Sequence, residues 1–389
     1  MAISFPDGFL WGTATAAHQV EGGNWNNDWW EFEHRDGTPC VEVSGDAVDH
    51  FHRYPSDLAM VAGLGFNAYR FSIEWSRIEP EEGEFSRAAL DHYRRMMAAC
   101  LEHGMVPVVT FHHFSTPRWA ATGDTWADPV TAERFARFCE RAVDAVGDLV
   151  GIACTINEPN IVALMGYMVG VFPPGRQDID QYARSNDVLI DAHKRAVDAL
   201  KAGPGDFPVG ITIAMGDWDA PEGAEDTLAR IRHQHEGIYL EAARGDDFVG
   251  VQAYSRTRLG ADGMPIGPED GVEVLDMGYE YWPQALEVAV RHAADVAGVP
   301  VYVTENGIGT TDDEQRIRYV RSALEGLGRC LADGLDVRGY FYWSAMDNFE
   351  WALGYKPQFG LIAVDRTTQL RTMKPSAHWL GAIARTNVL

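Results

Sequence analysis

The chain is 389 residues long, 46% apolar and 23% charged, which provides for a large buried core and excludes an intrinsically disordered chain. Its formal net charge of -25 repels polyanions at long range, so nucleic acid and anionic membrane surfaces are excluded as partners. No run approaches the roughly 20 apolar residues of a membrane span. Residues 1–8 lack a basic segment followed by an apolar stretch, and the cysteines at 40, 100, 139, 154 and 330 form no Cys-x-x-Cys pair, so the expectation is a soluble, unexported protein with reduced thiols in the cytoplasm.

Short β-prone apolar runs alternate with segments of helical period. The first run, residues 9–17, ends at His18-Gln19, and the second, 67–73, contains Arg70. Leu90, Tyr93, Met97 and Leu101 then step by three or four, which puts them on one helix face. The third run, 106–112, ends at His112-His113, and the fourth, 152–157, ends at Asn157-Glu158. The fifth, 209–215, ends without polar residues and precedes a helical pattern at Leu228, Ile231, His235 and Ile238. The sixth, 248–254, closes on Tyr254; the seventh, 299–304, is followed by Glu305-Asn306 and by a helix marked by Ile317, Val320, Leu324, Leu327 and Leu331. The eighth, 337–344, contains Trp343, and Asp347, Asn348, Glu350 and Trp351 lie in the loop beyond.

Eight apolar runs, each followed by a helix, predict parallel strands buried on both faces and closed as a (β/α)8 TIM barrel; a doubly wound open sheet is the rival. No linker or second core is visible, so residues 1–389 are expected to form a single catalytic barrel domain. In this fold the active site lies at the C-terminal ends of the strands. Two of those ends deliver a glutamate, Glu158 and Glu305, and a pair of carboxyls at one cavity is what glycoside hydrolysis requires. His112 and His113 are adjacent, so a strand presents them to opposite faces and only His113 is a candidate for the site. Neither this pair nor His233, His235 and Glu236, on a predicted exposed helix, makes a zinc pattern, so no metal and no cofactor is expected.

Five segments carry a resemblance: Phe-Leu-Trp-Gly-Thr-Ala-Thr-Ala-Ala-His-Gln-Val-Glu-Gly from 9, Tyr-Arg-Phe-Ser-Ile-Glu-Trp-Ser-Arg-Ile from 69, Thr-Ile-Asn-Glu-Pro-Asn from 155, Thr-Glu-Asn-Gly from 304, and Tyr-Trp-Ser-Ala-Met-Asp-Asn-Phe-Glu-Trp from 342. In order and in register, they resemble glycoside hydrolase family 1, the β-glucosidase family. The resemblance implies a retaining β-glycosidase working by double displacement on a small-molecule β-glycoside. Glu305 would attack the anomeric carbon, and Glu158 would protonate the leaving oxygen and later deprotonate water. It further implies that Arg70 and Tyr254 support Glu305 and that Asn157 contacts the sugar 2-hydroxyl. Gln19, His113, Glu350 and Trp351 would hold the sugar over the indole of Trp343.

The chain also departs from the family pattern. Gln252-Ala253-Tyr254 stands where Asn-Tyr-Tyr is usual, His113-Phe114 replaces histidine and tryptophan, and Asn160 replaces an aromatic after Asn-Glu-Pro. These changes, with a compact stretch between Glu158 and Tyr254, lead to the expectation of an open entrance for bulky or varied leaving groups. Glu350, Pro357 and Phe359 replace the serine, lysine and tyrosine of members that cleave 6-phosphoglycosides, which favours unphosphorylated sugars. Glucose leads, with galactose and fucose beside it. A transglycosylase using the same glutamates and a catalytically silent sugar-binding barrel are the other readings, and the sequence leaves the oligomeric state open.

Overall fold

The computed structural model describes residues 2–389. Eight strands, β1 (Leu10–Ala14), β2 (Ala68–Ser72), β3 (Val106–His112), β4 (Ile152–Asn157), β5 (Val209–Asp219), β6 (Phe248–Arg258), β7 (Val301–Asn306) and β8 (Val337–Trp343), close in chain order into one barrel. Every neighbouring pair is parallel, and β1 meets β8 over five consecutive residues, from Leu10 opposite Gly339 to Ala14 opposite Trp343. The parallel ladder follows from the sequence: β2, β4 and β7 are buried at every position, so no face is left for water and each strand must be covered by helices outside and by its own side chains inside.

The covering helices are amphipathic. Val130–Val146 buries Phe135, Phe138, Cys139, Ala142, Val143 and Val146, a three-and-four spacing that lays one stripe on the barrel. Their starts are fixed by side chains that accept the free N–H groups of the first turn, as Asp312 does from Glu314 and Gln315 and Asp178 from Asp180 and Gln181. A two-stranded antiparallel ribbon, β9 (Ile362–Asp365) with β10 (Leu370–Met373), leads into the last helix, Pro375–Thr386. Among the described residues no helix is long and apolar enough to cross a membrane, and all five cysteines are unpaired.

Several sequence expectations change. β1 stops at Ala14, and the residues after it wind into the one-turn helix Ala17–Val20, which carries His18 and Gln19. β5 and β6 run past the expected ends and continue to pair beyond the barrel wall, Trp218 opposite Thr257, after a register shift between Met215 and Asp217. Glu305 and Asn306 lie within β7, where Gln252 of β6 pairs with Glu305. The helical face read at Leu228, Ile231, His235 and Ile238 is not the buried one. A π-helical turn at His233–Gly237 rotates the segment so that Glu236, Tyr239 and Leu240 are buried instead, and Glu236 is fully covered, not exposed. Likewise Leu101 is exposed, in the last turn of a helix whose buried stripe is His92, Tyr93, Met96, Met97 and Cys100.

Candidate active site

The C-terminal ends of the strands bring the two glutamates to one cavity of about 240 Å³, together with His113, Tyr254, Trp343, Glu350 and Trp351. Glu305 is fixed at both oxygens. Arg70, rising from β2, places Nη1 2.5 Å from Oε1, and the Tyr254 hydroxyl donates to Oε2 at 2.6 Å. The other arm of the guanidinium, Nη2, donates to Asn157 Oδ1 at 2.5 Å, and Gln252 Nε2 donates to the same oxygen at 2.8 Å. Asn157 Oδ1 is thereby committed to Arg70 and Gln252, so its amide must point the other way, and Nδ2 has no partner among the described residues. The changed amide at 252 therefore acts on Asn157. Gly307 lets the end of β7 approach β8, because a Cβ there would overlap the Trp343 carbonyl.

Glu158 differs in every respect. It stands at the turn from β4 into the short helix Pro159–Ala163, with φ 44° and ψ 60°, a left-handed conformation that costs a non-glycine residue of order 1–3 kcal/mol. Its backbone is tied on both sides, N–H to the Thr212 carbonyl at 2.8 Å and C=O to the Ile161 N–H at 2.9 Å. Phe114 and Trp351, which line the same cavity, also have positive φ, 67° and 51°. Three of the eight non-glycine residues with positive φ among the described residues thus line this cavity.

The electrostatics separate the two carboxyls. Burial pushes Glu158 well above the usual carboxylate range, and the negative charge of Glu305 pushes it further; only Arg70 opposes. Burial also raises Glu305, but the Arg70 charge and the hydrogen bonds from Tyr254 and Arg70 pull it back. Of the pair, Glu305 therefore ionises first and Glu158 keeps the proton, as like charges in one site require.

The remaining walls are aromatic and amide. His113 stacks between Trp343, at 5.8 Å and 23°, and Trp351, at 6.1 Å and 17°. Gln19 Nε2 donates to Phe349 O at 2.7 Å and lies 3.3 Å from Glu350 Oε2, while its Oε1 has no partner among the described residues. Burial, reinforced by the charge of Glu305, pushes Glu350 up to about 8, against hydrogen bonds from Trp343 and Gln19. Glu350 is thus held toward its neutral form in the free site. The cavity lining contains no lysine or arginine and presents Phe359. His112 points away from the cavity, toward Thr116 and Trp126, as strand alternation requires. Glu236 accepts from Trp218, Gly216 and Arg232.

Several contributors were not read as site residues from sequence. Ile161, Phe172, Ala214, Met277 and Tyr279 all line the cavity. Met277 and Tyr279 belong to the irregular segment between β6 and the helix Ala285–Ala297, where no period marks an inward face. His18 lies flat behind Trp351, 5.7 Å away at 9°, and is held by Asn27 at 3.0 Å; its position beside Gln19 was the only signal. Of the departures, Phe114 packs on Trp351 and Phe172, and Asn160 folds against β5, donating to Ala214 O at 2.7 Å.

The model of glycosyl hydrolase family 1 matches residues 1–246 and 250–389. The chain belongs to glycosyl hydrolase family 1. It is therefore a glycoside hydrolase of the retaining kind. The chain is similar to β-glucosidase A of Thermotoga maritima, 32% identical over 99% of this chain and 98% of that one. It is also similar to the bifunctional β-D-glucosidase/β-D-fucosidase of Bifidobacterium breve, 33% identical over 97% and 98%. Among solved structures, β-glycosidase BGL167 superposes with a TM-score of 0.92 at 51% identity, covering 98% of this chain and 97% of that one. The Thermotoga maritima β-glucosidase in complex with glucoimidazole superposes with a TM-score of 0.92 at 32% identity, covering 99% and 100%.

Proposed function

We propose that this family 1 enzyme hydrolyses unphosphorylated β-glycosides from the non-reducing end, with Glu305 as nucleophile and Glu158 as general acid and then base. The observation that carries the assignment is the unequal setting of the two carboxyls. Glu305 is paired with Arg70 and hydrogen-bonded by Tyr254, which favours the ionised form a nucleophile needs. Glu158, buried and without such partners, is left with a proton to donate to the leaving oxygen. When Glu305 becomes a glycosyl ester it loses its charge, so the repulsion that kept Glu158 protonated is relieved. Glu158 can then take the proton of the attacking water.

The sugar is held by Gln19, His113, Asn157, Glu350 and Trp351 above the face of Trp343. Buried Gln19 Oε1, His113 Nδ1 and Asn157 Nδ2 have unspent hydrogen-bonding capacity, which suits a ring carrying several hydroxyls. Asn157 Nδ2 is oriented by Arg70 and Gln252, so its bond to the 2-hydroxyl strengthens as charge develops on the ring. β-Glucosides are the leading substrates, in line with the names of both similar enzymes, and β-fucosides and β-galactosides share the pocket. The unpaired thiols support a cytoplasmic setting.

A panel of aryl β-glycosides that differ only in the sugar tests this reading, with the anomer of the first-formed product followed by NMR. Release of free sugar, β first, with glucosides turned over fastest is expected. Transfer products in place of free sugar would instead favour a transglycosylase.

A further inference from the structure

A second cavity, of about 460 Å³, shares no lining residue with the catalytic one, and its volume falls within the ~300–1,000 Å³ typical of small-molecule sites. One wall is the helix Arg87–Glu102, whose Ala88, His92 and Arg95 recur at steps of four and three and so share a face. The helix His50–Leu64 adds Phe51, and the segment after the helix Ala17–Val20 adds Trp25, which is 61% exposed.

The charge of this lining runs against that of the chain. The sequence holds 57 acidic and 32 basic residues, yet the cavity presents two arginines and no aspartate or glutamate. Arg94 turns away to Asp148, whereas Arg95 makes no ion pair among the described residues. Arg77 donates Nε to Glu21 and Nη2 to the Gly22 carbonyl, which leaves Nη1, and its guanidinium lies 4.5 Å over the Phe51 ring. His92 stacks on the same ring at 3.7 Å and 12°. It is 6% exposed, and its Nε2 has no hydrogen-bond partner among the described residues. Burial, and then the charges of Arg95 and Arg77, push His92 down to about 4, so the imidazole is neutral at pH 7 and the field around it is positive.

The acceptors of the lining are mostly occupied. The Ser76 and Pro80 carbonyls receive Asn26 Nδ2, Asn24 Oδ1 receives the Ser76 hydroxyl, and the Ser86 hydroxyl oxygen receives the Ala89 N–H. Donors are what remains in excess, on Arg95, Arg77 and His92. A hydroxyl-rich neutral ligand needs donors and acceptors together, whereas a carboxylate only accepts. Trp25, Phe51 and Pro80 supply apolar surface suited to a flat ring.

We propose that this cavity is a second binding site, for a small aromatic monocarboxylate whose ring lies on the Trp25 indole and whose carboxylate is held by Arg95, with Arg77 and His92 beside it.

Calorimetric titration of the full-length protein with cinnamate tests this, with cinnamamide as the uncharged isostere. Saturable binding of cinnamate is expected, weakening as salt is raised. Affinity should fall about ten-fold or more in Arg95→Gln, in Trp25→Ala and for cinnamamide on wild type. Arg95→Lys, which keeps the charge, should lose less than Arg95→Gln. Both positions are exposed, so the variants should unfold within a few degrees of wild type. Absence of saturable cinnamate binding to wild type, equal affinity for cinnamamide, or undiminished affinity in Arg95→Gln overturns the assignment; the last result would place cinnamate in another cavity.

Discussion

Arg70 and Glu305 form an ion pair of 2.5 Å in which the side chains are 0% and 5% exposed. Withdrawing two charges from water is expensive and is repaid only where the geometry is good and the remaining donors and acceptors are satisfied. Here the second arm of the guanidinium is used on Asn157 and the second oxygen of the carboxylate by Tyr254. The pair thus fixes Glu305, holds its charge and orients the side chain of Asn157.

Arg70→Met should expose this coupling. Leaving Glu305 buried without its cation costs about 3–5 kcal/mol of stability at neutral pH if the carboxyl stays charged, and less as it takes up a proton. The protonated form cannot attack, so kcat/KM at pH 7 should fall about 100-fold or more. Denaturant unfolding and steady-state kinetics on one aryl glycoside measure the two effects. Near-normal kcat/KM would separate Arg70 from the nucleophile.

Tyr254→Phe should move the acid limb of the pH profile. In the proposed mechanism activity needs Glu305 ionised, and the tyrosine hydroxyl donates to the ionised form. Its loss raises the Glu305 pKa, so the rise of kcat/KM with pH should occur at higher pH than in wild type. The alkaline limb, which in that mechanism reports Glu158 losing its proton, should move much less. A uniform drop in rate with both limbs unmoved would contradict the role given to Tyr254.

Glu350→Gln should change how stability depends on pH. The folded-state pKa of Glu350 is about 8 against an ordinary value of 4.5, so between these values the folded chain holds a proton that the unfolded chain has released. Its contribution is full below the unfolded pKa and is lost as pH rises toward the folded one, by about 1.4 kcal/mol per pH unit. Glutamine does not titrate. The stability of the variant relative to wild type should therefore grow from pH 5 to pH 8 and level off above, in denaturant unfolding at pH 5, 7 and 9. A constant difference would place the Glu350 pKa in the ordinary range.

Much of this was legible in the sequence, for reasons that differ between elements. β3 and β4 begin and end where the apolar runs do, because strands buried on both faces leave unbroken runs. The ends of β5 and β6 were misplaced because residues 216–219 and 255–258 pair outside the barrel, where polar side chains are tolerated and no run marks them. His235 fits a helical stripe by spacing, yet the π-helical turn at His233–Gly237 redirects it, and such a turn has no period of its own. Within the site, Glu158 and Glu305 follow apolar runs directly and could be found. Tyr279 and Met277 come from an irregular segment, and Ala214 contributes by being small. The proton on Glu350 depends on burial and on the nearby charge of Glu305, neither of which spacing reveals.

The division of labour between the two glutamates is tested most directly by removing the nucleophile and supplying a substitute. In Glu305→Ala, azide can enter the space vacated by the carboxylate and attack an activated aryl β-glycoside from that side, with Glu158 still present as acid. The expected result is near-complete loss of hydrolysis, partial rescue by azide, and an α-glycosyl azide identified by NMR. A β-glycosyl azide from this variant would contradict the account, because it would mean that Glu305 is the acid and base and that Glu158 is the nucleophile.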